Sequence, residues 1–79
     1  MKKYRLYDMY DYFGIHLSKD NRIGECDTKE EADQIAQQHH NDCDGECDIW
    51  ICPYNEEQKK YLAIDAEPFE YEMEDDEDE

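Results

Sequence analysis

The segment from Thr28 to His40 carries a complete helix signature, and it constrains the fold more than any other part of the sequence. Thr28 is a favourable N-cap residue and Glu31 stands three positions later, an arrangement that predicts a capping box. The residues that recur at the spacing of one helix face are Ala32, Ile35, Ala36, His39 and Cys43. Because this stripe is narrow and mostly small, we expect a helix over about residues 29–41 that lies flat on a sheet.

Segments rich in aromatic and branched residues predict the strands of that sheet, at about residues 3–9, 12–18, 23–26, 47–52 and 61–66. A single bent strand over the first two segments is the competing interpretation. Phe13, Ile15 and Leu17 alternate with small or polar residues and should share one face, and Pro53 should end the fourth strand. Short connections favour antiparallel neighbours. The expected fold is α+β, a small antiparallel sheet of four to five strands with one helix packed on one face, in the order βββαββ.

A change in composition near residue 66 divides the chain into two parts. Residues 1–66 are expected to form a single compact domain, and residues 67–79 an acidic tail that holds nine acidic residues and no basic one. Alternation of Phe69, Tyr71 and Met73 with glutamates suits either an edge strand or a peptide that orders on a partner. The last five residues are all acidic and should be disordered.

The charge of the chain restricts its partners. Asp and Glu number 24 against 8 Lys and Arg, which gives a net charge of −16. Such a field repels nucleic acids and anionic membranes and attracts basic surfaces, so we expect a basic protein partner and no direct binding to nucleic acid. The amino-terminal sequence has no apolar run that would make a signal peptide or a membrane span, and we expect a cytoplasmic protein.

Cysteine and histidine residues between positions 26 and 52 raise the question of a metal. The candidates for a zinc site are Cys26, His39, His40, Cys43, Cys47 and Cys52. Their spacing lacks the paired Cys-x2-Cys knuckles typical of zinc domains, and several of them fall where core residues are expected. Buried reduced thiols therefore form the leading interpretation, with no cofactor, while zinc and disulfide bonding stay as alternatives.

No sequence pattern indicates catalysis. The chain has no nucleophile motif, no metalloprotease motif and no phosphate-binding loop, and a chain this small leaves little room for a substrate-sized pocket. We therefore expect a protein that is not an enzyme.

Aromatic residues interleaved with carboxylates suggest a binding surface instead, because aromatic side chains bury much area at interface centres. In size, charge and aromatic content the chain resembles the small acidic inhibitors of phages and mobile elements, including DNA-mimic anti-restriction and anti-CRISPR proteins. The resulting hypothesis is a non-enzymatic acidic protein that docks a basic protein surface; its narrower form is a nucleic-acid mimic that inhibits a nuclease or another nucleic-acid-binding protein. Two alternatives are a cysteine-based, metal-stabilised or redox-sensitive accessory domain, and a structural module with a solubilising tail. The residues expected to contact the partner are Asp8, Tyr10, Asp11, Tyr12, Phe69, Glu70, Tyr71 and Glu72.

Overall fold

The computed structural model describes residues 2–43 and 47–70, and it confirms the expected α+β fold with one helix on a small antiparallel sheet. In chain order the elements are β1 (Tyr4–Asp8), a 3₁₀ turn (Lys19–Asn21), β2 (Arg22–Cys26), α1 (Lys29–Asp42), β3 (Ile49–Asn55), β4 (Lys60–Tyr61), a second 3₁₀ turn (Ala63–Asp65) and β5 (Glu67–Pro68).

The sheet has the order β2-β1-β3-β4, and β5 pairs with β3 as well. Every pairing is antiparallel, and β1 lies in the middle with Leu6 opposite Gly24 of β2 and Ile51 of β3. The pairing of β5 with β3 places Pro68 opposite Trp50. The sheet therefore extends past Ala66, into the first residues of the acidic segment.

The helix begins at the predicted N-cap residue Thr28, but the capping box is only half formed, because the Glu31 carboxylate bonds to the N–H of Asp27 rather than to that of Thr28. The Thr28 hydroxyl accepts a hydrogen bond from the N–H of Glu31 at 3.1 Å, and the Glu31 carboxylate accepts one from the N–H of Asp27 at 3.4 Å. Ala32 and Ala36 are completely buried against the sheet. At Gly24 of β2, an added Cβ would lie 3.0 Å from a methyl group of Ile35, so the helix packs almost directly on the strand backbone.

Apolar side chains pack on both faces of the sheet. The cluster beneath the helix contains Leu6, Cys26, Ala32, Ala36, Cys47, Ile49 and Ile51. A second cluster contains Tyr7, Met9, Cys52 and Ala66, with Leu17, Trp50 and Tyr61 packed against it. Because neighbouring residues of a strand point to opposite faces, Leu6 and Tyr7 belong to different clusters.

The predicted strand at residues 12–18 is wrong, and the order of the elements is ββαβββ. Residues 9–18 form an irregular loop, because side-chain hydrogen bonds from Asn21 hold its backbone where a strand partner would otherwise do so. The alternation of Phe13, Ile15 and Leu17 therefore does not describe a buried face: Phe13 is fully exposed and Leu17 is half-buried.

Two strand boundaries also differ from the prediction. β3 continues through Pro53 to Asn55, because the neighbouring Tyr54 supplies the N–H that bonds to the carbonyl oxygen of Lys3 at 2.7 Å. The segment predicted as one strand over 61–66 instead begins with the end of β4 and turns through a 3₁₀ turn that leaves Ile64 exposed.

Candidate functional site

Residues 9–18 form the loop that follows β1, called the docking loop because a docking role is proposed for it below. At the start of this loop, the carboxylate of Asp8 contacts several elements. Asp8 Oδ1 accepts hydrogen bonds from the N–H groups of Tyr10 at 2.9 Å and of Asp48 at 3.1 Å. Asp8 Oδ2 lies 3.1 Å from Nε2 of His39 on α1. Burial by itself raises the pKa of Asp8, but these hydrogen bonds and the nearby His39 leave the pKa below its ordinary value. Asp8 thus ties the docking loop to α1 and to the chain entering β3.

The other end of the docking loop is held by Asn21, a buried polar residue. Its Nδ2 donates to the carbonyl oxygens of His16 at 2.7 Å and Asp8 at 3.1 Å, and its Oδ1 accepts from the N–H of Ser18 at 3.1 Å. A single amide side chain therefore fixes the departure of the loop from β1 and its return.

The tip of the docking loop presents aromatic side chains to solvent. Phe13 is fully exposed and is followed by Gly14, whose φ of 78° suits a residue without a Cβ. Tyr10 is also exposed, while the ring of Tyr12 stacks on that of His16 with centroids 4.3 Å apart. Aromatic residues are enriched at the centres of surfaces that bind other proteins.

Acidic side chains accompany these rings. Asp11, Tyr12 and Asp20 line one shallow depression beside the docking loop, together with Arg22. The ion pairs that Lys and Arg form in residues 2–43 and 47–70 use other carboxylates, those of Asp27, Glu25 and Asp33. The carboxylates of Asp11 and Asp20 thus keep their charge available to a partner.

The predicted partner-binding residues fall into three groups. Tyr10, Asp11 and Tyr12 lie together on the docking loop, as described above. Asp8 lies at its base and is occupied by internal hydrogen bonds. Phe69 packs against the cluster beneath the helix and its N–H donates to the carbonyl oxygen of Ile49 at 2.9 Å, while Glu70 is exposed. Tyr71 and Glu72 lie outside the described residues.

Phe13 is the residue of this surface that the sequence interpretation missed. Its alternation with Ile15 and Leu17 imitates the pattern of a strand and therefore predicts a position on the face of a strand. The signal that could have identified it is Gly14 directly after it, since an isolated glycine within a strand pattern often marks an irregular backbone.

Three of the zinc candidates meet at the end of α1. His40 lies in the last turn of the helix, Cys43 is its C-cap residue, and Cys47 is buried two residues before β3. The metal-ligating atoms of these residues lie within 4.8 Å of one another, and His40 Nδ1 is 3.7 Å from Cys47 Sγ. This His/Cys/Cys set can hold a metal ion.

The remaining candidates lie elsewhere and have other partners. Cys26 is buried beneath the helix and its thiol donates to the carbonyl oxygen of Thr28 at 3.3 Å. Cys52 belongs to the cluster on the other face, and burial raises the pKa of its thiol to about 11. Burial also raises the pKa of Cys26. His39 contacts Asp8 instead. Cys26, His39 and Cys52 therefore do not belong to the cluster of His40, Cys43 and Cys47. The four cysteines all lie within residues 2–43 and 47–70 and form no disulfide bond there; Cys43 is half-buried and the other three are buried.

A groove of about 810 Å³ lies between α1 and β5. This volume is larger than expected, since a chain of this size was predicted to leave little room for a pocket. Its walls are formed mainly by polar residues of the helix and by the chain around β5, among them Asp33, Gln34, Gln37, Phe69 and Glu70. Its titratable lining residues, among those that the structure describes, are Tyr4, Lys29, Asp33, Glu67 and Glu70.

No family model matches the sequence, and neither the curated proteins nor the solved structures include a match. Among the described residues, no helix has both the length and the apolar character needed to cross a membrane.

Proposed function

We propose that this protein is a non-enzymatic acidic binding protein that docks a basic protein surface through its docking loop. The observation that carries the proposal is the exposed ring of Phe13 at the tip of a braced loop that also carries Asp11, a carboxylate that forms no ion pair with a Lys or Arg within residues 2–43 and 47–70. A partner that fits this surface offers an apolar pocket surrounded by Lys and Arg.

Bracing of the loop supports this function because it lowers the entropic cost of binding. Asp8 and Asn21 hold both ends of the loop, and the stacking of Tyr12 on His16 restrains its middle. A loop whose backbone is already positioned loses less freedom when a partner covers it. Because Phe13 is fully exposed, its apolar area is available to an interface, and full burial of a phenylalanine contributes about 2 kcal/mol.

Charge supports the second part of the proposal, a basic partner. Residues 1–66 have a net charge of −7, and the nine acids of residues 67–79 add to it. Complementary charge accelerates association and selects against acidic partners. In the narrower form of the proposal, the partner is a nuclease or another nucleic-acid-binding protein, and the acidic chain occupies the groove that normally holds phosphates.

Capture from cell lysate on the immobilised full-length chain tests this function. Wild type, Phe13→Ala and Ile64→Ala are compared at about 50 mM and about 500 mM salt, because screening weakens contacts between exposed charges. Ile64 provides the matched control, since it is an apolar side chain 87% exposed in a different element from the docking loop. Captured proteins are identified by mass spectrometry, and elution with a DNA or RNA oligonucleotide tests the mimic form.

We expect wild type and Ile64→Ala to capture the same basic protein at low salt and to release it at high salt. Phe13→Ala should retain at least tenfold less of it. Release by the oligonucleotide would identify a nucleic-acid site as the docking surface. Equal capture by wild type and Phe13→Ala, or capture of proteins without a basic surface, would refute docking through this loop.

A further inference from the structure

The atoms of the His40, Cys43 and Cys47 cluster are placed almost as zinc requires. Zn–S bonds of about 2.3 Å and Zn–N bonds of about 2.0–2.1 Å in a tetrahedron place the ligand atoms roughly 3.6–3.8 Å apart. His40 Nδ1 and Cys47 Sγ are 3.7 Å apart, and the largest separation in the cluster is below 4.8 Å. Side-chain rotations that shorten the longer separations by about 1 Å would complete the geometry.

The position of each ligand follows from the fold. His40 and Cys43 are three residues apart at the end of α1, so they project from the same side of the helix. Cys47 reaches them from the chain that enters β3, where it is packed in the cluster beneath the helix. The set therefore joins two elements that are separated along the chain by the connection after α1.

The chemistry of these donors favours zinc over hard cations. Two thiolates and one imidazole suit zinc, while hard cations such as Mg²⁺ and Ca²⁺ prefer oxygen ligands. Binding converts the thiols of Cys43 and Cys47 to thiolates and releases their protons to solvent, so binding should weaken in acid. Three protein ligands leave one position of a tetrahedron for water or another donor.

We propose that His40, Cys43 and Cys47 bind one zinc ion, which links the C-terminal end of α1 to the start of β3. This site is separate from the docking function, because none of its three residues belongs to the docking loop. Its structural effect would be to restrain the connection between α1 and β3, and an ion that binds the folded chain alone raises thermal stability as its concentration rises.

The test uses the full-length chain without a polyhistidine tag, stripped of metal under reducing conditions. Co²⁺ is the spectroscopic probe, because cobalt bound by thiolates in a tetrahedral site absorbs visible light strongly, and Zn²⁺ should displace it. Cys43→Ser is the main variant because Cys43 is only half-buried and its replacement should leave the fold intact. Cys26→Ser and Cys52→Ser are matched controls that remove thiols outside the cluster.

We expect one zinc ion per wild-type chain, a cobalt spectrum typical of thiolate ligands, and a Tm that rises with zinc. Cys43→Ser and His40→Ala should bind zinc at least tenfold more weakly and lose the rise in Tm, with circular dichroism showing that they fold. The two control variants should bind as wild type does. Absence of stoichiometric zinc, or an equal loss of binding in Cys26→Ser, would overturn the site. Neither outcome affects capture by the docking loop, which is measured separately with Phe13→Ala.

Discussion

Replacing Asp8 with alanine should destabilise the fold far more than replacing its exposed neighbour Asp11. Asp8 accepts hydrogen bonds from the N–H groups of Tyr10 and Asp48 and contacts His39, and its side chain is only 23% exposed. Hydrogen bonds to a charged group contribute about 1.5–3 kcal/mol each, but those that share one carboxylate are not additive. We therefore expect Asp8→Ala to lower the free energy of unfolding by about 2–4 kcal/mol, and Asp11→Ala by less than about 0.5 kcal/mol.

Urea denaturation followed by the fluorescence of the single tryptophan measures this difference. The pKa of Asp8 in the folded chain lies below its ordinary value of 3.8. Its contribution should accordingly be complete above that pH and disappear as the pH falls through the folded pKa. The cost of Asp8→Ala should therefore shrink in acid. Equal midpoints for the Asp8 and Asp11 variants near neutral pH would refute the role assigned to Asp8.

Three further substitutions test other parts of the account. Asn21→Ala should cost about 2–3 kcal/mol in urea denaturation and weaken partner capture, because it removes the bonds that hold both ends of the docking loop. Thr28→Ala should cost about 1 kcal/mol by the same measurement, through loss of the bond to the N–H of Glu31. Gly14→Ala should cost about 1 kcal/mol from its positive φ alone, since no atom lies within 4 Å of the added methyl group; an unchanged midpoint would contradict that.

The parts of the fold that could be predicted from sequence depend on local signals. The Thr28 cap and the stripe of Ala32 and Ala36 identify the helix and its packing on a sheet, because capping and periodicity act within a few residues. β1 and β3 are rich in branched and aromatic residues, so both could be predicted as strands. The prediction that Pro53 ends β3 is wrong, because the strand continues to Asn55.

The parts that failed depend on contacts between distant residues. The irregular docking loop exists because Asn21 bonds to His16 and to the backbone of Asp8, 13 residues away in sequence. No alternation of apolar residues can report such bonds. The metal cluster was missed for a different reason: His40, Cys43 and Cys47 are close in sequence but contain no Cys-x2-Cys pair, so their spacing alone could not separate them from Cys26 and Cys52.

The dissociation constant of the captured basic protein, measured for wild type and Phe13→Ala at two salt concentrations, tests the proposed function most directly. Burial of an apolar ring is little affected by moderate salt, whereas contacts between exposed charges are screened. Wild-type affinity should therefore fall as salt rises, while Phe13→Ala should remain roughly 30-fold weaker at both concentrations, which corresponds to about 2 kcal/mol. A ratio near one, or an affinity indifferent to salt, would contradict an acidic protein that docks through Phe13.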